Sequence, residues 1–166
     1  MSDTNSIAKV GILPKSGPAR AGFAVKRSDN RIWTDVDGTQ RPVGTDNVIV
    51  LTANRTITAK ESGTKFVFNS TTSLDVTLPA PAVGLEFVFY VKVAATSGTG
   101  HNIKTNGSSE KTYGKVTATG AALSEAAGKG VVNTQATGSK GDAGRVYSDG
   151  TDWFFTPHTG TWAVGA

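Results

Sequence analysis

Two aspartates bracket a glycine in YSDGTDWFF, residues 147–155, and Trp153, Phe154 and Phe155 follow the second at once. Two carboxyl groups roughly 5 to 9.5 Å apart in an aromatic-lined cleft would be the acid pair of a glycoside hydrolase. The dipeptide Asp149-Gly150 has a simpler use, because it readily takes the positive φ angles of a two-residue hairpin turn. On that reading Arg145–Tyr147 runs in, Asp152–Phe155 runs out, and Asp149 belongs to the turn. Asp152 then opens the returning strand. Trp33, Trp153 and Trp162 would serve a sugar only if exposed; in a β-sandwich such residues more often fill a core or an interface.

Other candidate chemistry is thin. His101 and His158 each stand alone in a Gly/Thr-rich stretch, without the spacing of a metal site, and read as solvated loop residues. Ser108-Ser109-Glu110-Lys111 matches the Ser-x-x-Lys pattern of some acyl-transfer enzymes, which needs a helix to bring the lysine over the serine. Here it lies in a Gly/Asn/Ser loop. Gly128-Lys129-Gly130 lacks the earlier glycine of a phosphate loop, Leu123 standing in its place. Asp35 and Asp37 flank another turn. The sequence is therefore expected to be non-enzymatic, with no cofactor and no metal.

The elements that must position these residues are read from composition and period. A chain of 166 residues is enough for one principal core. With 20 glycines, many threonines and one methionine, it favours strands and turns over helices. Cysteine is absent, so neither disulfides nor thiolate metal sites hold the fold. No apolar run reaches the roughly 20 residues of a membrane span. The start, MSDTNSIAKV, lacks a secretory signal's apolar core, so synthesis as a soluble chain in the cytoplasm is expected.

Strand signals recur from Arg31 onward. Ile32–Val36, the Asp37-Gly38 turn and Arg41–Val43 read as a small hairpin. Further strands are expected at 48–51, 55–59, 64–68, 74–78, 102–105, 113–117 and 131–135. The strand Leu85–Val93 carries Leu85, Phe87, Phe89, Val91 and Val93 on one face, which suits a central position. Only Ala121–Ala127 has helical propensity. Thr161–Val164 is either a last edge strand or a tail packed on a neighbour. The fold expected is all-β: an antiparallel β-sandwich over residues 32–166, preceded by an extended N-terminal arm over residues 1–31.

Charge is unevenly placed. The formal net charge is +4, and through Arg31 six Lys/Arg face two Asp, so the remainder is balanced. The arm mixes cations with single apolar residues at no sustained period and builds no core of its own. Such a segment would be attracted to an acidic surface and anchored there. With only Phe23 as an aromatic among its cations, it does not suit nucleic acid.

The segment TITAKESGTKFVFNSTTSLDVTLPAPAVGLEFVFYVKVAATSGTGHNIKTNG, followed by GDAGRVYSDGTDWFF, resembles a module recurrent in tailed-phage virion proteins, among them head decoration and capsid fibre proteins. The features that carry the likeness are the Thr-x-Thr-Ala opening, Val76-Thr77-Leu78-Pro79, Gly84 before an aromatic strand, Asn102-Ile103-Lys104-Thr105 and Ser148–Trp153. The resemblance implies a β-sandwich on the outer surface of a virion capsid, often a homotrimer, with no catalytic residues.

The expected function is capsid decoration and stabilisation through the major capsid protein. Lys9, Ile12, Leu13, Lys15, Arg20, Phe23, Lys26, Arg27 and Arg31 are the expected capsid contacts, and Phe154, Phe155 and Trp162 the expected contacts between subunits. No membrane or nucleic-acid partner is expected. The rival is the receptor-binding head of a capsid or tail fibre that takes host-surface glycans, with Trp153 or Trp33 open to sugar rings.

Overall fold

The computed structural model describes residues 47–116 and 129–165, together with the backbone of four earlier strands. Two compact units are present, Met1–Thr45 and Asp46–Ala166. In the first, β1 (Ala8–Lys9), β2 (Phe23–Lys26), β3 (Arg31–Val36) and β4 (Thr39–Pro42) pair antiparallel in sequence order. The expected hairpin is β3–β4, closing with Val36 opposite Thr39.

Strand β2 joins that hairpin through Lys26 opposite Arg31. The break between units therefore falls at Thr45, beyond the boundary expected at Arg31. The segment read as an unpaired arm is paired at β1 and β2, because main-chain pairing needs no apolar period. Among the expected capsid contacts, Lys9, Phe23, Lys26 and Arg31 fall on these strands. Ile12, Leu13, Lys15, Arg20 and Arg27 lie outside the described residues, as does the helical stretch Ala121–Ala127.

The second unit is built from β5 (Val48–Leu51), β6 (Arg55–Thr56), β7 (Lys65–Asn69), β8 (Asp75–Thr77), β9 (Glu86–Val93), β10 (Gly100–Lys104), β11 (Thr112–Gly114), β12 (Val131–Thr134), β13 (Ala143–Ser148), β14 (Trp153–Thr159) and β15 (Trp162–Val164). They form a five-stranded sheet, order β15-β12-β10-β8-β6, and a six-stranded sheet, order β11-β14-β13-β9-β7-β5. The all-β, sandwich-like character is as expected, and β15 is an edge strand.

The antiparallel expectation is corrected. From β5 to β10 each strand lies in the sheet opposite its predecessor, so β5, β7 and β9 stack in one sheet and β6, β8 and β10 in the other. Neighbours that return to a sheet after such a crossing run in the same direction. Hence β5–β7, β7–β9, β6–β8 and β8–β10 are parallel, as is β11–β14. Parallel strands need a long crossover, and here the intervening strand of the other sheet supplies it. The later strands close both sheets antiparallel, with β13 on β9 and β12 on β10.

Alternation along β7 and β9 sends Phe66, Phe68, Phe87, Phe89 and Val91 into one core. Phe66 and Phe89 are opposite in register and stack at 5.6 Å between centroids. Each such side chain, fully buried, contributes roughly 1.5–3 kcal/mol. Trp153 and Trp162 are both 0% exposed. Trp162 donates from Nε1 to the Thr159 carbonyl at 3.0 Å and tilts against Phe155 at 5.1 Å.

Phe155 and Trp162 thus belong to the core of their own chain, and the expectation that they pack between subunits is corrected. Strand alternation puts Phe155 inward on the same side as Trp153, and a buried β15 side chain closes over it. Gly144 makes room for this contact, since a Cβ there would lie 2.5 Å from the Phe155 ring. Gly144→Ala is expected to cost about 1–3 kcal/mol by overpacking, read as a lower urea midpoint at unchanged slope.

Candidate interaction surface

The residues with the most suggestive chemistry turn out to hold loops. β13 and β14 pair Ser148 with Trp153, so the connection is the four residues Asp149–Asp152 and not a two-residue turn. Asp149 Oδ1 accepts from the N–H groups of Thr151, at 2.9 Å, and Asp152, at 3.0 Å. The Asp152 and Thr151 N–H groups hold the Asp149 carboxyl below its ordinary 3.8. Gly150 sits at φ +107°, a conformation that favours glycine. Asp152 lies in the loop and accepts from the Lys111 N–H at 3.0 Å. Each carboxylate is engaged by backbone, which is the geometry of a turn.

The Ser-x-x-Lys stretch is not helical, so nothing stacks Lys111 over Ser108; Glu110 instead accepts from the Asn106 N–H at 3.0 Å. His158 is exposed on β14. His101, expected in a solvated loop, is on β10 and 0% exposed, because the Gly/Thr-rich residues around it form an inner strand. Among the described residues no three His, Cys, Asp or Glu gather as a metal site, and no helix is long and apolar enough to cross a membrane. Trp153 is enclosed against Phe87, so it offers no face to a sugar.

Phe154 is different. Alternation turns it outward, opposite Tyr113 of β11 and Tyr147 of β13. The three rings stack in a row, Tyr113 on Phe154 at 5.5 Å and 26°, Phe154 on Tyr147 at 5.1 Å and 16°. The Arg145 guanidinium lies 5.6 Å from the Tyr147 centroid and pairs with Glu86 at 2.6 Å. Phe154 thus has a ring on each side, which leaves no free face for a sugar and weakens the reading of this row as a glycan platform.

The sequence reading named Phe154 but missed Tyr113, Tyr147 and Arg145. The signal was there for Tyr147: a hairpin register that pairs Ser148 with Trp153 necessarily puts Tyr147 beside Phe154. Tyr113 arrives by a parallel pairing of distant strands, which local pattern does not encode. Because the Arg145–Glu86 pair is exposed to solvent, Arg145→Ala is expected to change stability by less than about 1 kcal/mol, checked by chemical denaturation. No protein family and no curated protein matches the chain.

Proposed function

We propose that this chain is a non-enzymatic virion protein that decorates the outer surface of a phage capsid, docks on the major capsid protein through its N-terminal unit and associates with its own copies as a homotrimer. The observation that carries the reading is the division of charge between compact units. Met1–Thr45 holds seven Lys/Arg against four Asp, whereas Asp46–Ala166 holds ten against nine acidic residues. A cationic unit joined to a nearly neutral β-domain suits attachment to an acidic lattice, with the β-domain free to face outward. The likeness of residues 55–155 to phage virion modules supports the setting. Binding only the expanded lattice would stabilise that state by mass action.

The test is co-sedimentation of the full chain with expanded, undecorated capsids of the parent phage. Saturable binding is expected, weakening as salt is raised and lost when Lys9, Lys15, Arg20, Lys26, Arg27 and Arg31 are replaced by Glu. Binding that survives these replacements overturns the docking role of the first unit. No binding by the unaltered chain overturns decoration, and a glycan screen then tests the fibre-head reading.

A further inference from the structure

The connection between β10 and β11 holds Asn106-Gly107, the single asparagine in the sequence that precedes a glycine. Asn106 is exposed in an irregular loop. The backbone around it is tied down: the Asn106 N–H donates to Glu110 Oε2 at 3.0 Å, and the Thr105 hydroxyl donates to the Gly107 carbonyl at 3.0 Å. Among the described residues, neither the Asn106 side-chain amide nor the Gly107 N–H has a hydrogen-bond partner. A Cβ built on Gly107 would meet only the Glu110 side chain, its nearest atom at 3.3 Å, so space lies open around this residue. Other asparagine side chains are engaged: Asn47 donates to Thr64, Asn102 to Asp75 and Asn133 to Asp142, and Asn54 accepts from the Asp75 N–H.

We propose that Asn106 is a self-modification site, at which the folded chain converts this amide into a carboxylate through a cyclic imide. The Gly107 nitrogen bonds to Asn106 Cγ and gives up its proton to solvent. The Cγ–Nδ2 bond breaks, and Nδ2 leaves as ammonia with a proton taken back from solvent. Water then adds to either carbonyl of the imide ring: opening on one side leaves aspartate, and on the other isoaspartate, whose main chain runs through Cβ and Cγ. Nothing is oxidised or reduced, and water is the sole co-reactant. Attack within one chain needs no encounter of separate molecules once the two groups are free to meet, and glycine, without a Cβ, leaves its nitrogen unhindered. Asp149-Gly150 lacks that freedom, because Asp149 Oδ1 is held by the N–H groups of Thr151 and Asp152. The new carboxylate stands beside Glu110. Isoaspartate also lengthens the main chain leading to Lys111, whose N–H holds Asp152 at 3.0 Å and whose carbonyl accepts from the Trp153 N–H at 2.9 Å. Conversion therefore changes charge and geometry where β11 joins β14.

The inference is independent of capsid docking and of self-association. It is tested on the full folded chain, kept in neutral and in mildly alkaline buffer and sampled by ion-exchange chromatography and by mass spectrometry of the peptide that trypsin releases between Lys104 and Lys111. An acidic species is expected to accumulate, faster in the alkaline buffer, and to carry isoaspartate at position 106. Gly107→Ala is expected to slow its appearance about tenfold, equivalent to roughly 1.4 kcal/mol on the barrier, and Asn106→Gln to abolish it. Circular dichroism checks that each variant folds. Should Gly107→Ala fail to fold, Asn106→Gln, at an exposed side chain without a partner, still decides the matter. An Asn106 that stays an amide in the folded chain, a carboxylate at 106 without isoaspartate, or an acidic species that forms as fast in Asn106→Gln overturns the inference.

Discussion

Gly130→Ala is expected to abolish the folded second unit or to remove more than about 4 kcal/mol, the range reached by few single substitutions. A Cβ at Gly130 would stand 1.6 Å from the Ile103 carbonyl oxygen, 2.7 Å from its carbon and 3.0 Å from the Lys104 Cα. All three are backbone atoms of β10, so no side chain can swing aside. Moving the strand instead would break the pairing of Ile103 with Val131 and the bond from the Gly165 N–H to the Gly130 carbonyl. Gly100 holds the other end of the same pair of strands, with a Cβ there 2.1 Å from the Asn133 carbonyl oxygen. Both ends of β10–β12 depend on a missing side chain. Against a total stability of about 5–15 kcal/mol, losing either end consumes much of the margin.

Gly63→Ala is the control. Its φ is +81°, but nothing lies within 4 Å of the added atom. Only the left-handed backbone penalty of about 1–2 kcal/mol applies. Soluble yield and urea midpoints of the two variants separate collision from conformation. Equal losses in both would mean that the β10–β12 approach is looser than its distances indicate.

These glycines also show where sequence reading stops. Strands were legible wherever one face is buried: β9 alternates Phe87, Phe89 and Val91 with half-covered residues, and the alternation survives in the fold. The turn at Asp149-Gly150 was legible in kind because its chemistry is local. Its length was not, since Asp152 is drawn out of the strand by the Lys111 N–H, a partner 41 residues away. The crossing from sheet to sheet was illegible for the same reason. Pro79–Gly84 ends one strand and begins another equally well whether the chain doubles back or crosses. Gly130 read as part of a faint phosphate loop, and only the approach of β10 explains it. The outward row needed β11 to land beside β14, which no alternation in either strand requires.

The second large effect concerns His101 and acid. Its ring lies between the sheets, stacked on Phe68 at 4.5 Å and 5°. Nδ1 accepts from the Leu74 N–H at 3.3 Å and Nε2 donates to the Val93 carbonyl at 2.9 Å, which assigns the neutral Nε2–H tautomer. Protonation would turn Nδ1 into a donor facing the Leu74 N–H and place a charge among apolar side chains. The charged residues on the strands packed around it, Lys65, Asp75, Glu86, Lys92 and Lys104, alternate with buried neighbours and point to the outer faces. Burial therefore pushes the imidazole below its ordinary 6.5, outweighing the Val93 and Ser70 carbonyls that favour the charged form.

The sign of the pH dependence follows from which state binds the proton first. Above 6.5 both folded and unfolded chains keep His101 neutral and the group makes stability independent of pH. Below it the unfolded chain is protonated first, so stability falls as pH falls, by up to about 1.4 kcal/mol per unit. Glu61 acts lower. Burial raises its carboxyl, but the Thr58 N–H and Arg55 outweigh that and hold it below 4.5, so its contribution is lost only as acid passes that value. Between 4.5 and 6.5 the slope thus reports His101. His101→Leu is expected to lose about 2–6 kcal/mol at neutral pH, from two buried backbone groups at about 1–3 kcal/mol each, and to flatten that slope. Urea unfolding of both proteins across this interval decides it. An unchanged slope in the variant would assign the acid sensitivity elsewhere, whereas a flat slope in the unaltered chain would mean that the core takes up the proton without opening.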